Sequence, residues 1–182
     1  MSKLQDKVYE SLSDLDMHKA LPGVPILSYA DLGKYKTIKE LLPKARDAII
    51  LFVELQENIG HWQALTRSEN NIYFFDSYGT RPDKALLWID KYMRKELNEQ
   101  VPYVSYLLNE ALSAGFHVSF NSFRYQNKKQ TSISTCGRWC IAWVKWNKNQ
   151  VNNSPKAFNK YIKKYSKDHE LNYDLSISQI IP

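Results

Sequence analysis

The apolar positions of the chain fall into helix-spaced, continuous and alternating patterns, and each predicts a different kind of element. Leu4, Val8, Leu12 and Leu15 recur at helical spacing, which predicts one amphipathic helix over residues 1–15. Pro22, Gly23 and Pro25 break the chain after it. Thr37 with Glu40 reads as a capping box opening a short helix that Pro43 stops. Residues 48–55, Ala-Ile-Ile-Leu-Phe-Val-Glu-Leu, form an apolar run of strand length, the mark of a strand buried on both faces. Residues 61–66 and 72–75 read as two further strands joined by a polar turn at 67–71, so three consecutive strands are expected side by side.

Between 83 and 99, Leu86, Ile89, Tyr92, Met93 and Leu97 predict a single amphipathic helix. A second is expected over 103–113, ended by Gly115, and residues 116–120 alternate as a strand. The polar stretch 121–135 predicts a loop, with one short strand near 123–125 as an option. A helix should run from Cys136 to Trp146, and Phe158, Tyr161, Ile162 and Tyr165 mark a lysine-rich one after Pro155. No repeat or linker divides the chain. The expectation is one α+β domain over 1–182, a central mixed sheet flanked by helices.

Composition narrows the function classes. A chain of 182 residues with 43% hydrophobic and 24% charged residues can build a core without staples. Two cysteines are too few for a disulfide framework, and His18, His61, His117 and His169 show no finger-like spacing for a structural zinc. Acidic residues near the start interrupt any signal-peptide core, and no apolar run approaches the ~18 residues of a membrane span. An intracellular, reducing compartment and no membrane partner are therefore expected. The net charge of +6 suits an anionic partner such as nucleic acid, but equally an ordinary lysine-rich surface.

The candidate chemistry is that of a thiol. Cys136 follows the polar run Gln-Thr-Ser-Ile-Ser-Thr and opens an apolar helix, where the positive end of the helix dipole stabilises a thiolate. Gly137 beside it permits close approach of a substrate backbone. His61 stands at the start of a predicted strand, and Asp76 at the end of the strand that should pair with it. The hairpin would thus bring a carboxylate to an imidazole, fixing its tautomer and stabilising its charge. An oxyanion needs preorganised donors, and a loop amide could join the Cys136 N–H. Gln130, six residues before the cysteine, and Gln126 both qualify. Cys140 reads as a buried small hydrophobe.

As a set, Gly60-His61-Trp62, Phe75-Asp76-Ser-Tyr-Gly79, Gln130 and Cys136-Gly137-x-x-Cys140 resemble the adenovirus-type maturation proteases (adenain). More broadly they resemble the clan shared with ubiquitin-like-specific proteases and the proteases of virophages, Polinton-like elements and large DNA viruses. The resemblance covers residues 48–144. It implies a papain-like or adenain-like core with Cys136 as nucleophile, His61 as base, Asp76 as third member and Gln130 as oxyanion donor. Trp62 and Gly137 would contact substrate. It also implies a monomeric endopeptidase cutting capsid or core precursors at Gly-containing sites, in the virion and in the infected-cell cytoplasm or viral factory. The chemistry requires no cofactor, though DNA or a peptide could activate. Asp76 replaces the glutamate frequent in adenoviral enzymes, and no cysteine before Cys136 is present to tether an activating peptide. Two other functions stay open: a ubiquitin- or SUMO-like deconjugase, and a non-catalytic nucleic-acid-binding virion protein on the same fold.

Overall fold

A computed structural model describes residues 3–56, 59–130, 132–149 and 154–182. Five strands form one mixed sheet in the order β1-β2-β3-β4-β5: β1 Ile26–Ser28, β2 Ala48–Gln56, β3 Ile59–Ser68, β4 Asn71–Asp76 and β5 His117–Phe120. β2, β3 and β4 are antiparallel neighbours, as their sequence spacing predicts; β1 and β5 flank them in parallel.

The apolar run of β2 is explained by burial on both faces. Ala48 and Ile50 join a core with Trp62, Ala64 and Phe75, covered by helix α6 (Cys136–Asn149) and by α7 (Pro155–Asp168) and α8 (Tyr173–Ile180). Ile49, Leu51 and Val53 join the opposite core with Leu65, Ile72 and Phe74, covered by helix α5 (Tyr103–Ser113). Aromatic packing fills the first core: Phe75 stacks on Trp143 at 5.3 Å and meets Phe158 edge-on.

Two predicted helices are instead pairs of short ones. Residues 1–15 were expected to be one helix; 1 and 2 lie outside the described residues, and the rest divides between α1 (Lys3–Tyr9) and α2 (Asp14–Ala20). The break is Ser13, which caps α2 reciprocally with Asp16. In the break the Glu10 and Leu12 carbonyls accept instead from the side chains of Arg138 and Trp62. Likewise 83–99 is a 3-10 turn, Lys84–Trp88, followed by α4 (Lys91–Glu96), because Asp90 caps the backbone N–H groups of Tyr92 and Met93. No strand forms at 123–125; the N–H groups of Tyr125 and Gln126 both donate to the Ser77 carbonyl. The capping box at Thr37 is present, opening α3 (Ile38–Leu41). β1 and α8 carry no pattern that predicted them.

Candidate active site

Strand alternation puts His61, Gln63 and Leu65 on one face of β3, and pairing sets Gln63 directly opposite Asp76 on β4. The backbone of Asp76 is held by Asn121, whose side chain accepts from its N–H at 2.9 Å and donates to its carbonyl at 2.6 Å. The carboxylate is fully buried. It accepts from Gln63 Nε2, from the Thr80 hydroxyl and from the Tyr78 N–H, each at 2.7 Å. His61 Nε2 lies 3.2 Å from Oδ1, within ion-pair reach although its N–H is not aimed along the hydrogen-bond line. The hairpin therefore delivers the carboxylate to the imidazole, as the sequence led us to expect.

Cys136 opens α6 and is half-buried. Its thiol hydrogen-bonds the His61 ring, and the backbone N–H groups of Trp62 and Gly137 also point at the sulfur. Burial alone would raise the thiol's pKa. The hydrogen bond and charge of His61, with the two N–H groups, outweigh it and hold the thiol below its ordinary 9.0. Desolvation likewise works against the imidazolium, but Asp76 and the Cys136 sulfur push His61 from 6.5 up to about 10. Asp76 is lowered despite its burial, by the imidazolium first and then by its hydrogen-bond donors. Both shifts favour the thiolate–imidazolium pair over the neutral one. Tyr78 stacks on the His61 ring at 5.0 Å, and Trp88 meets it edge-on at 5.4 Å, placing ring faces and edges around a buried cation. Cys140, on the same helix and fully buried, has its pKa pushed well up by desolvation and by the charges of Cys136 and Asp76, which disfavours its thiolate.

Cys136 and His61 border a cleft of about 770 Å³. Trp62, Tyr78, Trp88, Lys128 and Leu12 line it beside Cys136 and His61, and Lys128 Nζ caps the Trp88 ring at 4.4 Å. Trp62 thus lines the cleft as expected. Gly137 is placed for a different reason: a Cβ there would meet Trp62 Cδ1 at 3.2 Å and Leu12 Cβ and Met17 Sδ at 3.3 Å, so internal packing occupies the space. Its contribution to the site is its N–H.

Of the two glutamines, only Gln126 reaches the cleft. Gln130 is exposed and lines a second cavity of about 230 Å³ with Arg124 and Tyr173, which Gln126 and Ile133 border as well. Gln126 is buried, accepting from the Ser77 hydroxyl at 2.8 Å and donating to the Tyr78 hydroxyl at 3.1 Å and the Ile133 carbonyl at 2.9 Å. Sequence spacing did not reveal Asp174 on α8. It accepts from the Thr135 hydroxyl at 2.6 Å and from the Asn127 N–H at 3.1 Å, pinning both ends of the loop that carries Gln126 and leads to Cys136. Trp88 and Leu12 had no local signal either, and Tyr78 stood in the Phe75–Gly79 motif without a role assigned to it. Among the described residues no group of three or more His, Cys, Asp or Glu could hold a metal ion, and no helix is long and apolar enough to cross a membrane.

Fold and site together define an α+β protein with a buried Cys–His–Asp array at the end of a mixed sheet. No family model matches the sequence. Over 139 residues the chain is 39% identical to the uncharacterized protein V9 of the Sputnik virophage, covering 74% of this chain and 77% of V9. The chain belongs to the family of that virophage protein.

Proposed function

We propose that the protein is a cysteine endopeptidase of the adenain-like kind, cutting viral capsid or core precursors at Gly-containing sites. The observation that carries this reading is the Cys136–His61–Asp76 array at the start of α6 and beside the cleft. The Cys136 thiolate attacks the scissile carbonyl carbon, and the C=O pair moves to oxygen. The Cys136 N–H and Gln126 Nε2, exchanging its bond to Tyr78, hold that oxyanion. His61 gives its proton to the leaving amine as the C–N bond breaks. It then takes a proton from water, which hydrolyses the thioester and releases the acid. The step needs no metal or redox partner.

The viral setting of the reading is supported by the kinship with V9, and a place in the virion and the infected cell is part of the same proposal. DNA or a peptide as activator belongs to the same proposal. The exposed face of α7, with Lys156, Lys160, Lys163 and Lys167, is the surface on which DNA would act. The test is incubation of the protein with its own element's virion proteins, with and without DNA, read by mass spectrometry of new termini. Cleavage lost in Cys136→Ala with unchanged circular dichroism supports the proposal. Cleavage preserved in that variant sinks it.

A further inference from the structure

Arg138, two residues after the nucleophile, is a buried guanidinium outside the triad, with 1% of its surface exposed. It donates through Nη1 to the Glu10 carbonyl at 2.7 Å, through Nη2 to the Glu10 carboxylate at 3.1 Å, and through Nε to the Ile181 carbonyl at 3.2 Å. Burying an arginine is costly unless its donors are met, so the segment it holds is firmly specified. That segment is the extended strap between α1 and α2. A further bond fastens it, Trp62 Nε1 donating to the Leu12 carbonyl at 3.2 Å, and the end of α1 just before it is held by the Ser134 N–H, which donates to the Val8 carbonyl at 2.9 Å. Residues 11–13 of the strap line the cleft, together with Asp14 at the head of α2. Leu12 and Trp62 close around Gly137, next to the attacking sulfur.

We propose that residues 11–13 are a substrate-binding strap clamped to the catalytic helix by Arg138, and that Leu12 sets the size of side chain admitted beside the scissile bond. Arg138 is a positioning residue: it touches the strap and not the reacting atoms. The proposal rests on the endopeptidase reading. It gives that reading a physical origin for a preference for glycine, since a bulky residue at the sulfur would collide with a Leu12 that the strap cannot move aside.

The test uses internally quenched peptides varied at the two residues flanking the cleaved bond. Leu12→Ala should raise kcat/KM for Leu- or Phe-containing peptides at least about tenfold relative to the glycine peptide. Arg138→Lys, which takes away the guanidinium fork on the Glu10 carbonyl and the Ile181 carbonyl, should relax selectivity the same way and raise KM about tenfold with kcat little changed; Glu10→Ala removes only the largely exposed carboxylate contact, keeps the carbonyl bond and should stay within about twofold of wild type. A helix that merely needed Arg138 for stability would lose kcat and keep its selectivity. Unaltered selectivity in both Leu12→Ala and Arg138→Lys overturns the strap while leaving the protease reading intact. Wild type that alkylates at Cys136 as slowly as a free thiol, and cleaves no peptide, overturns both.

Discussion

Replacing Asp76 by Asn tests whether the buried carboxylate creates the ion pair. The substitution keeps the side chain's shape and its acceptor for the Tyr78 N–H. The other position turns from acceptor to donor, facing Gln63 Nε2 and the Thr80 hydroxyl, and both of these can reorient. What disappears is the charge. A rise of the His61 pKa from 6.5 to about 10 corresponds to about 5 kcal/mol in favour of the imidazolium, at about 1.36 kcal/mol per tenfold. Asp76 shares this with the thiolate, so its removal should cost on the order of 2–3 kcal/mol, roughly a hundredfold in ion-pair population. Desolvation then dominates both partners and favours neutral thiol and neutral imidazole. Wild type should alkylate rapidly with iodoacetamide across neutral pH, slowing only as acid protonates the thiolate. Asp76→Asn should slow roughly a hundredfold at pH 7, and its profile should move toward alkaline pH. Reading Cys136 and Cys140 separately by mass spectrometry supplies an internal control, because Cys140 stays unreactive in both. An Asp76→Asn protein that alkylates within about threefold of wild type at pH 7 would refute the reasoning.

Gln126→Ala should lower kcat by about 10²-fold or more, whereas Gln130→Ala should stay within about twofold of wild type; single-turnover cleavage rates decide, and the reverse order would return the oxyanion role to Gln130. Glu99 is buried, accepts the Glu54 N–H at 3.1 Å through one oxygen and leaves the other without a partner. Desolvation raises its pKa from 4.5 to about 7, so the stability it contributes is full below 4.5 and is lost as pH rises through 7. Glu99→Gln should therefore stabilise by about 1–2 kcal/mol at pH 8 and by nothing measurable at pH 4.5, read from urea midpoints. Phe75→Ala empties the centre of the aromatic cluster with Trp143, Tyr125 and Phe158 and should cost about 3–5 kcal/mol in the same urea assay.

Much of the site was legible because it lies on regular elements. A hairpin has a period of two and a defined end, so His61 and Asp76 could be brought together from spacing alone. The polar run before an apolar helix likewise located Cys136. The loop was not legible: Gln126 rather than Gln130 borders the cleft, and Asp174 holds Asn127 and Thr135 of that loop through contacts made across about forty residues of sequence. Helix periodicity misled wherever a side-chain cap competed with it. Leu15 and Tyr92 fit helical stripes yet are exposed, because Ser13 and Asp90 restart the backbone just before them. The strap was misread for the same reason: Leu12 was assigned to a helix face and belongs to the cleft wall.

The anchoring of the nucleophile's loop by Asp174, and of Arg138 by the Ile181 carbonyl, bears on when activity first appears. During synthesis, Cys136 leaves the ribosome well before the residues that fix its loop and its helix. A growing chain therefore carries the thiol without a finished oxyanion pocket or a seated strap. On the protease reading, the emerging polypeptide is protected from its own chemistry by chain order alone. A fusion that stalls translation before residue 174 should yield a protein that neither cuts itself nor captures a thiol-reactive peptide probe.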